Sequence, residues 1–182
     1  MPTQPPRVPP VLDGPGVDVC EPRVLLLEYL DWYRDALDRK VTGLSDTDLR
    51  SPLEPFGWSP LGLFKHLGWV ERRWMRWGFA AEDVEPYLPG DTGSDTDRAE
   101  WTVLPDETTR DVLAGYRREV EHSRTLASGA ELSDIARLGG RFQTAEQAPC
   151  LARILFHLLQ EYARHVGQLD VVRELIDGAV GE

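Results

Sequence analysis

Three side chains of the kinds that bind divalent metals stand on two amphipathic segments of this sequence. Glu161 and His165 are four residues apart in the segment from Pro149 to Asp177. At this spacing on a helix the Cβ atoms are about 5 to 6 Å apart, close enough for both side chains to hold one ion. His66, on the other segment, is the best third ligand, because metal sites in helical bundles use side chains that project inward from facing helices. Together the three residues predict a metal site.

The chemistry of these ligands suits a divalent cation with an open coordination position. Imidazole and carboxylate bind Zn²⁺ at about 2.0 to 2.2 Å, and three protein ligands leave a fourth position free, as in catalytic zinc sites. Such ligands select weakly among ions, so Zn²⁺ is the expected metal and Ni²⁺ an alternative. A cation there lowers the pKa of a bound thiol or water. Spacing alone leaves a second interpretation open, in which Glu161 and His165 form only a solvated or hydrogen-bonded pair.

Other reactive or aromatic side chains are assigned structural roles. His157 precedes Glu161 by four residues, but its angle on the helical wheel points away from the apolar stripe, which predicts a surface position or an indirect role at the site. Trp101 either covers a pocket or, as the favoured interpretation, fills a gap between helix ends. Cys150 near a helix N-terminus is either an activated thiol or, as favoured, a small buried residue.

The elements that must position these side chains are four long helices. Ser59 with Pro60, and Asp106 after Pro105, are typical helix starts. Apolar residues recur every three or four positions, the period of a helix that buries one face, over residues 22–42, 59–80, 106–127 and 149–177. No convincing strand is present, so the sequence predicts an all-α four-helix bundle. Charged residues that flank the helix seams are expected to pair between helices, namely Glu71, Arg72 and Arg164.

The rest of the chain divides into an arm and connecting loops. Residues 1–20 contain six prolines and predict an N-terminal arm without a helix. Residues 21–182 then form the bundle domain, since 182 residues fit one compact domain. Residues 85–98, rich in Pro, Gly and Asp, predict a long surface loop. A second loop is predicted around Gly139 and Gly140.

Composition excludes several classes of function. Acidic residues outnumber basic ones 31 to 20, for a net charge of −11, which is the wrong sign for a nucleic-acid-binding protein. No apolar run approaches the roughly 18 residues of a membrane span, and the N-terminus lacks the features of a signal peptide. We therefore expect a cytoplasmic protein without nucleic-acid or membrane partners, and leave a homodimer open. Only two cysteines, Cys20 and Cys150, are present, too few for a disulfide framework.

Three segments resemble a branch of the DinB superfamily. They are GLFKHLGWVERRW at 62–74, DTDRAEWTVLPDETTRDVLAGYRREVEHSR at 95–124 and ILFHLLQEYARHVGQLDVVRELIDG at 154–178. The resemblance implies a DinB-like bundle with up-down-down-up topology. It also implies a metal held by one histidine of the second helix and an i, i+4 pair of the fourth, which are His66, Glu161 and His165 here.

The resemblance also suggests a chemistry. The His, Glu, His ligand set is similar to the zinc site of mycothiol-dependent maleylpyruvate isomerase, where the open metal position serves a low-molecular-weight thiol. Isomerase activity itself is not expected, because no counterpart of that enzyme's additional C-terminal domain follows the last helix. The leading interpretation is a metal-dependent transferase that joins a thiol such as mycothiol or bacillithiol to an electrophile. The alternatives are a non-catalytic metal-binding bundle, acting in stress response or partner binding, and a metal-free scaffold.

Overall fold

A computed structural model describes residues 14–86 and 99–180, and in these ranges the regular structure is helical, with no β-strand. The helices are α1 (Pro22–Val41), α2 (Asp46–Arg50), α3 (Pro60–Glu71), α4 (Thr109–Ser128) and α5 (Leu151–Asp177). A π-helical segment over Arg72–Phe79 directly continues α3. The predicted all-α class is confirmed. Most of the predicted arm, residues 1–13, and most of the predicted loop, residues 87–98, lie outside the described residues.

Local side-chain chemistry explains where the helices begin and end. The Ser59 hydroxyl accepts a hydrogen bond from the Gly62 backbone N–H at the start of α3, as predicted. Helix α4 begins later than expected, because Thr108 rather than Asp106 provides the capping oxygen. At the end of α5, Gly178 adopts the left-handed backbone conformation, with φ of 76°, that closes many helices.

The apolar helix faces form one core. Helix α1 packs along α5, and α3 packs along both α4 and α5. The approach of α3 to α4 is close because Gly68 has no side chain: a Cβ there would lie 3.3 Å from the Tyr116 Cα. Large side chains at the centre are fully buried, among them Leu30, Leu37, Phe64, Leu67, Leu155, Leu158 and Tyr162. No described helix is long and apolar enough to cross a membrane.

A buried ionic network crosses this core. Glu71 is fully buried and accepts hydrogen bonds from Arg34 at 2.7 and 3.1 Å and from the Tyr162 hydroxyl at 2.7 Å. The expectation that Glu71 and Arg72 pair between helices is confirmed, because Glu71 of α3 binds Arg34 of α1 through the core, and Arg72 binds Glu119 of α4. Burial, before any other cause, raises the pKa of both Tyr162 and its neighbour Tyr116.

The loop between α4 and α5 is anchored to the π-helical segment. The Arg141 backbone N–H donates to the Trp77 carbonyl at 3.1 Å, and the Arg137 N–H donates to the Phe79 carbonyl at 2.9 Å. Gly140 is required here, because a Cβ at this position would lie 2.2 Å from the Trp77 carbonyl oxygen. The loop predicted around Gly139 and Gly140 therefore holds a fixed position against the helix end. It leads into α5, whose N-cap residue is Cys150.

Candidate metal centre

The three predicted ligands converge, although they come from distant parts of the chain. His66 projects from α3, and Glu161 and His165 project from α5. Each offers one ligand atom, and these atoms all lie within 4.8 Å of one another. Ligand atoms around a tetrahedral Zn²⁺ are about 3.4 Å apart at bond lengths of about 2.1 Å. A small contraction of the cluster would therefore bring all three side chains into coordinating distance.

Hydrogen bonding fixes the orientation of His165. Its Nδ1 lies 2.8 Å from the side-chain oxygen of Gln168, one turn further along α5. With that oxygen as acceptor for Nδ1–H, Nε2 is left to share a proton or a cation with Glu161 Oε2, which lies 3.2 Å away. Two electron-rich atoms then face each other, an arrangement that requires either a proton or a cation between them. Gln168 therefore prepares Nε2 as a ligand, which is a common role for the hydrogen-bond partner of a metal-binding histidine.

A second carboxylate stands behind His66. Glu100 is 2% exposed, and its Oε2 lies 3.3 Å from His66 Nδ1. Arg73, in the π-helical segment, binds both oxygens of Glu100 and holds the carboxylate in place. Carboxylates often orient metal-binding imidazoles in this way. The sequence reasoning missed Glu100 and Gln168, because neither lies at a helical spacing that marks a ligand.

Both ring nitrogens of His66 are buried without a full complement of hydrogen bonds. The contact from Nδ1 to Glu100 is not aligned as a hydrogen bond, and Nε2 has no hydrogen-bond partner within the described part of the chain. Burial lowers the pKa of His66, and the nearby Glu100 carboxylate only partly opposes this effect. The imidazole is therefore neutral at neutral pH, which is the form that binds metals. An unpaired buried nitrogen beside Glu161 and His165 fits a metal-binding role.

Glu161 supplies the negative charge of the cluster. Its hydrogen bond with His165 is the largest cause that lowers the pKa of this half-buried carboxyl group, so the group is ionised at neutral pH. Its Oε1 lies 3.4 Å from His157 Nε2. Burial first, and then the positive charges of Arg153 and Arg141, lower the pKa of His157. His157 thus contacts a candidate ligand rather than joining the cluster, in agreement with the indirect role predicted for it.

Trp101 covers the cluster. Its ring stacks on the His66 imidazole with centroids 4.2 Å apart and planes 18° apart. The same indole meets the edge of His165 at 5.2 Å. The indole also packs against the core and against Trp58, with ring centroids 5.5 Å apart. Trp101 therefore fills space, as the favoured interpretation has it, and at the same time contacts both imidazoles of the cluster.

The three candidate ligands are partly exposed to solvent. The side chains of His66, Glu161 and His165 are 13%, 19% and 7% exposed. This partial exposure is compatible with access by a small molecule, whereas a purely structural site is closed by its ligands. A separate cavity of about 270 Å³ lies between α3 and α4, beside Lys65 and Glu107, and does not include the cluster.

The fold and the cluster together define a class: helical proteins in which side chains from facing helices form a candidate site for one divalent metal. The family model of the mycothiol-S-transferases matches residues 25–178. The chain therefore belongs to this DinB-like family, which confirms the resemblance found in the sequence. The match includes all three residues of the cluster. No curated protein matches the sequence significantly.

Proposed function

We propose that this protein is a cytoplasmic, metal-dependent S-transferase that joins a low-molecular-weight thiol of the mycothiol or bacillithiol type to an electrophile. The observation that carries the proposal is the convergence of His66, Glu161 and His165 in a chain of the mycothiol-S-transferase family. Its small-molecule partners are the thiol and the electrophile. The bound ion is Zn²⁺, with Ni²⁺ as the alternative.

The proposed architecture is the DinB-like four-helix bundle. Helices α1, α3, α4 and α5 are its four members, in up-down-down-up order, and the bundle domain extends over residues 21–182 after the arm of residues 1–20. The packing of α1 along α5 and of α3 along α4 supports this arrangement. It brings one ligand of α3 opposite two ligands of α5.

In this proposal each residue of the cluster has a defined task. Nε2 of His66, Nε2 of His165 and a Glu161 oxygen hold the metal, while Gln168 and Glu100 keep the two imidazoles in the ligating orientation. The metal, when bound, supplies the positive charge that lets a thiol ionise near neutral pH. The thiol proton passes to solvent, the thiolate sulfur forms a bond to the electrophilic carbon, and the leaving group departs with its electron pair.

Thermal melts test the metal site. A ligand that binds only the folded state stabilises it by about 2.7 kcal/mol at a hundredfold excess over Kd. Adding Zn²⁺ should therefore raise the Tm of the parent protein. The shift should be lost in His165→Ala and retained in His122→Ala, which removes an exposed histidine of α4. Equal shifts in all three proteins would show that the ion binds adventitiously.

Conjugation assays test the activity. The metal-loaded protein should accelerate the reaction of a mycothiol-type thiol with an electrophile. Glu161→Gln should lower the rate more than it lowers the free energy of unfolding, because it removes the cluster's charge but keeps its shape. Glu121→Gln, on an exposed position of α4, is the matched control and should behave like the parent. A metal-loaded protein inert towards a broad panel of thiols and electrophiles would favour a non-catalytic metal-binding protein.

A further inference from the structure

Residues 100–102 form a short segment that joins the candidate metal centre to α3. Within this segment, the Trp101 ring centroid lies 4.2 Å from that of His66 and 5.2 Å from that of His165. The centroids of the two imidazoles are themselves 5.0 Å apart. Each of the three rings therefore touches the other two. A shift of the indole would change the space available to both imidazoles.

Lys65 of α3 anchors the main chain directly after Trp101. Its ammonium donates to the Thr102 carbonyl oxygen at 2.9 Å and to Glu107 Oε2 at 2.8 Å. The same oxygen of Glu107 accepts a hydrogen bond from the Leu104 backbone N–H at 2.7 Å. Lys65 is only 8% exposed, so water competes little for these charge-assisted hydrogen bonds, which are stronger than neutral ones. One ammonium thus fixes the chain that follows the indole.

Gly62 of α3 allows the main chain of Trp101 to lie directly on the helix. A Cβ at Gly62 would be 2.1 Å from the Trp101 carbonyl oxygen, which is too short for any real contact. A larger residue at position 62 would therefore push the main chain of Trp101 away from α3. Gly62 and Lys65 are three residues apart and so lie on one face of the helix.

The segment is also held before Trp101. Arg73 binds both carboxylate oxygens of Glu100, which is 2% exposed. The chain is thus held by a side chain on each side of the indole, and in the middle it rests on Gly62. Because metal ligands keep a productive geometry only where packing fixes their rotamers, this support bears on the metal centre.

We propose that Lys65 and Gly62 are positioning residues of the metal centre, which fix the indole of Trp101 and, through it, the two imidazole ligands. This inference rests on the metal site of the proposed function and adds the residues that hold that site ready for the ion. Lys65 acts through the Thr102 carbonyl, and Gly62 acts through its lack of a side chain. Ligands that are already oriented lose less conformational freedom when the ion binds, so a loosened anchor should weaken metal binding.

Zn²⁺ binding to variants of the full chain tests the inference without turnover. Lys65→Met keeps an unbranched side chain but removes the ammonium. It should raise the Kd for Zn²⁺ about tenfold, the low end of the range for residues that support metal ligands, and a chelator should remove the ion correspondingly faster. Gly62→Ala displaces the same main chain by a different route and should also raise the Kd. Lys65→Arg, which keeps a charged donor, should retain more of the parent's affinity than Lys65→Met.

A spectroscopic probe of Trp101 separates positioning from a general loss of stability. The chain contains six tryptophans, and fluorine NMR of protein labelled with fluorotryptophan reports on each of them. Trp101→Phe identifies the resonance of residue 101. In the metal-free, folded protein this resonance should shift or broaden in Lys65→Met and in Gly62→Ala. The resonance of Trp32, which packs on Tyr33 of α1, should stay constant.

Matched controls use the same residue types elsewhere in the chain. Lys40→Met removes the only other lysine, whose side chain is 10% exposed and pairs with Asp170. Gly115→Ala adds a methyl group on α4, where the nearest atom belongs to the Arg118 guanidinium at 3.7 Å. Both controls should keep the parent's Kd for Zn²⁺ and the parent's Trp101 resonance. Urea unfolding curves show which variants are folded, and Gly62→Ala carries the test if Lys65→Met does not fold.

The outcomes are distinguishable from failure of the proposed function. Folded Lys65→Met and Gly62→Ala proteins with the parent's Kd would overturn the positioning role. A weaker Kd with an unchanged Trp101 resonance would overturn the route through the indole. A parent protein that binds no Zn²⁺ would instead refute the metal site itself, while the resonance in the metal-free protein still shows whether Lys65 and Gly62 fix the indole.

Discussion

Replacing Glu100 with glutamine should weaken metal binding without touching a ligand. Glu100 lies behind His66 at 3.3 Å and is held by Arg73. Glutamine keeps the size of the side chain but removes the negative charge that pairs with the Arg73 guanidinium and faces the neutral imidazole of His66. His66 then loses the group that directs its ring. Substitution of a residue that supports a metal ligand typically lowers metal affinity 10- to 100-fold.

The size of the effect on stability follows from this loss of affinity. At a Zn²⁺ concentration a hundred times the parent's Kd, bound metal stabilises the parent by about 2.7 kcal/mol. A tenfold weaker Kd reduces that gain to about 1.4 kcal/mol, and a hundredfold weaker Kd reduces it to about 0.4 kcal/mol. The metal-free variant is also destabilised, because the guanidinium of Arg73, with a side chain 12% exposed, is left without its carboxylate.

Competition with a chelating dye measures the Kd for Zn²⁺ on folded protein. Urea titrations with and without Zn²⁺ measure the free energy of unfolding of the metal-bound and metal-free forms. Glu119→Gln is the matched control, since Glu119 also binds the π-helical segment, through Arg72 and Arg76, but on another side. The control should retain the parent's Kd. A folded Glu100→Gln protein with the parent's Kd would refute the orienting role of Glu100.

Two further predictions concern the folded state. Glu71→Gln should lower the free energy of unfolding by about 3 kcal/mol in urea titrations, because it removes the buried carboxylate of Arg34 and leaves that guanidinium only its contact with the partly exposed Asp31. A change as small as that in exposed Glu121→Gln would contradict this reasoning. The metal-free protein should lose stability as the pH falls below about 6.5. Burial lowers the pKa of His66, so below this pH the unfolded chain binds a proton at His66 more strongly than the folded chain does. Urea titrations at about pH 7.5 and 5.5 should show a smaller loss in His66→Gln, and equal losses would remove His66 as the cause.

Helix periodicity and ligand type were enough to find most of the architecture and the three candidate ligands. The apolar stripes of α1, α3, α4 and α5 recur at helical spacing, and the i, i+4 pair of Glu161 and His165 follows from the geometry of a single helix. The sequence predicts a start of α4 at Asp106, whereas the helix is capped by Thr108. Both residues are good caps, and only the surrounding packing selects between them.

The groups that surround the ligands depend on contacts between distant residues. Trp101 stacks on His66, and Glu100 reaches it, only because the chain after the predicted loop returns to α3. Glu71 binds Arg34 rather than a charge nearer in sequence, because its position in the core places it against α1. No periodic pattern marks such residues, because each makes a single contact that is specific to this fold.

The sequence alone is enough to predict a helical, acidic chain with metal-binding residues at a helical spacing, because these properties depend on composition and on the 3.6-residue period of one helix. The tertiary structure is needed to show that His66 meets Glu161 and His165, that Gln168 and Glu100 lie beside the two imidazoles, and that Arg141 lies on Trp74. These arrangements depend on how the helices and loops pack against one another. Packing is set by the shape of the whole core, which no local stretch of sequence contains.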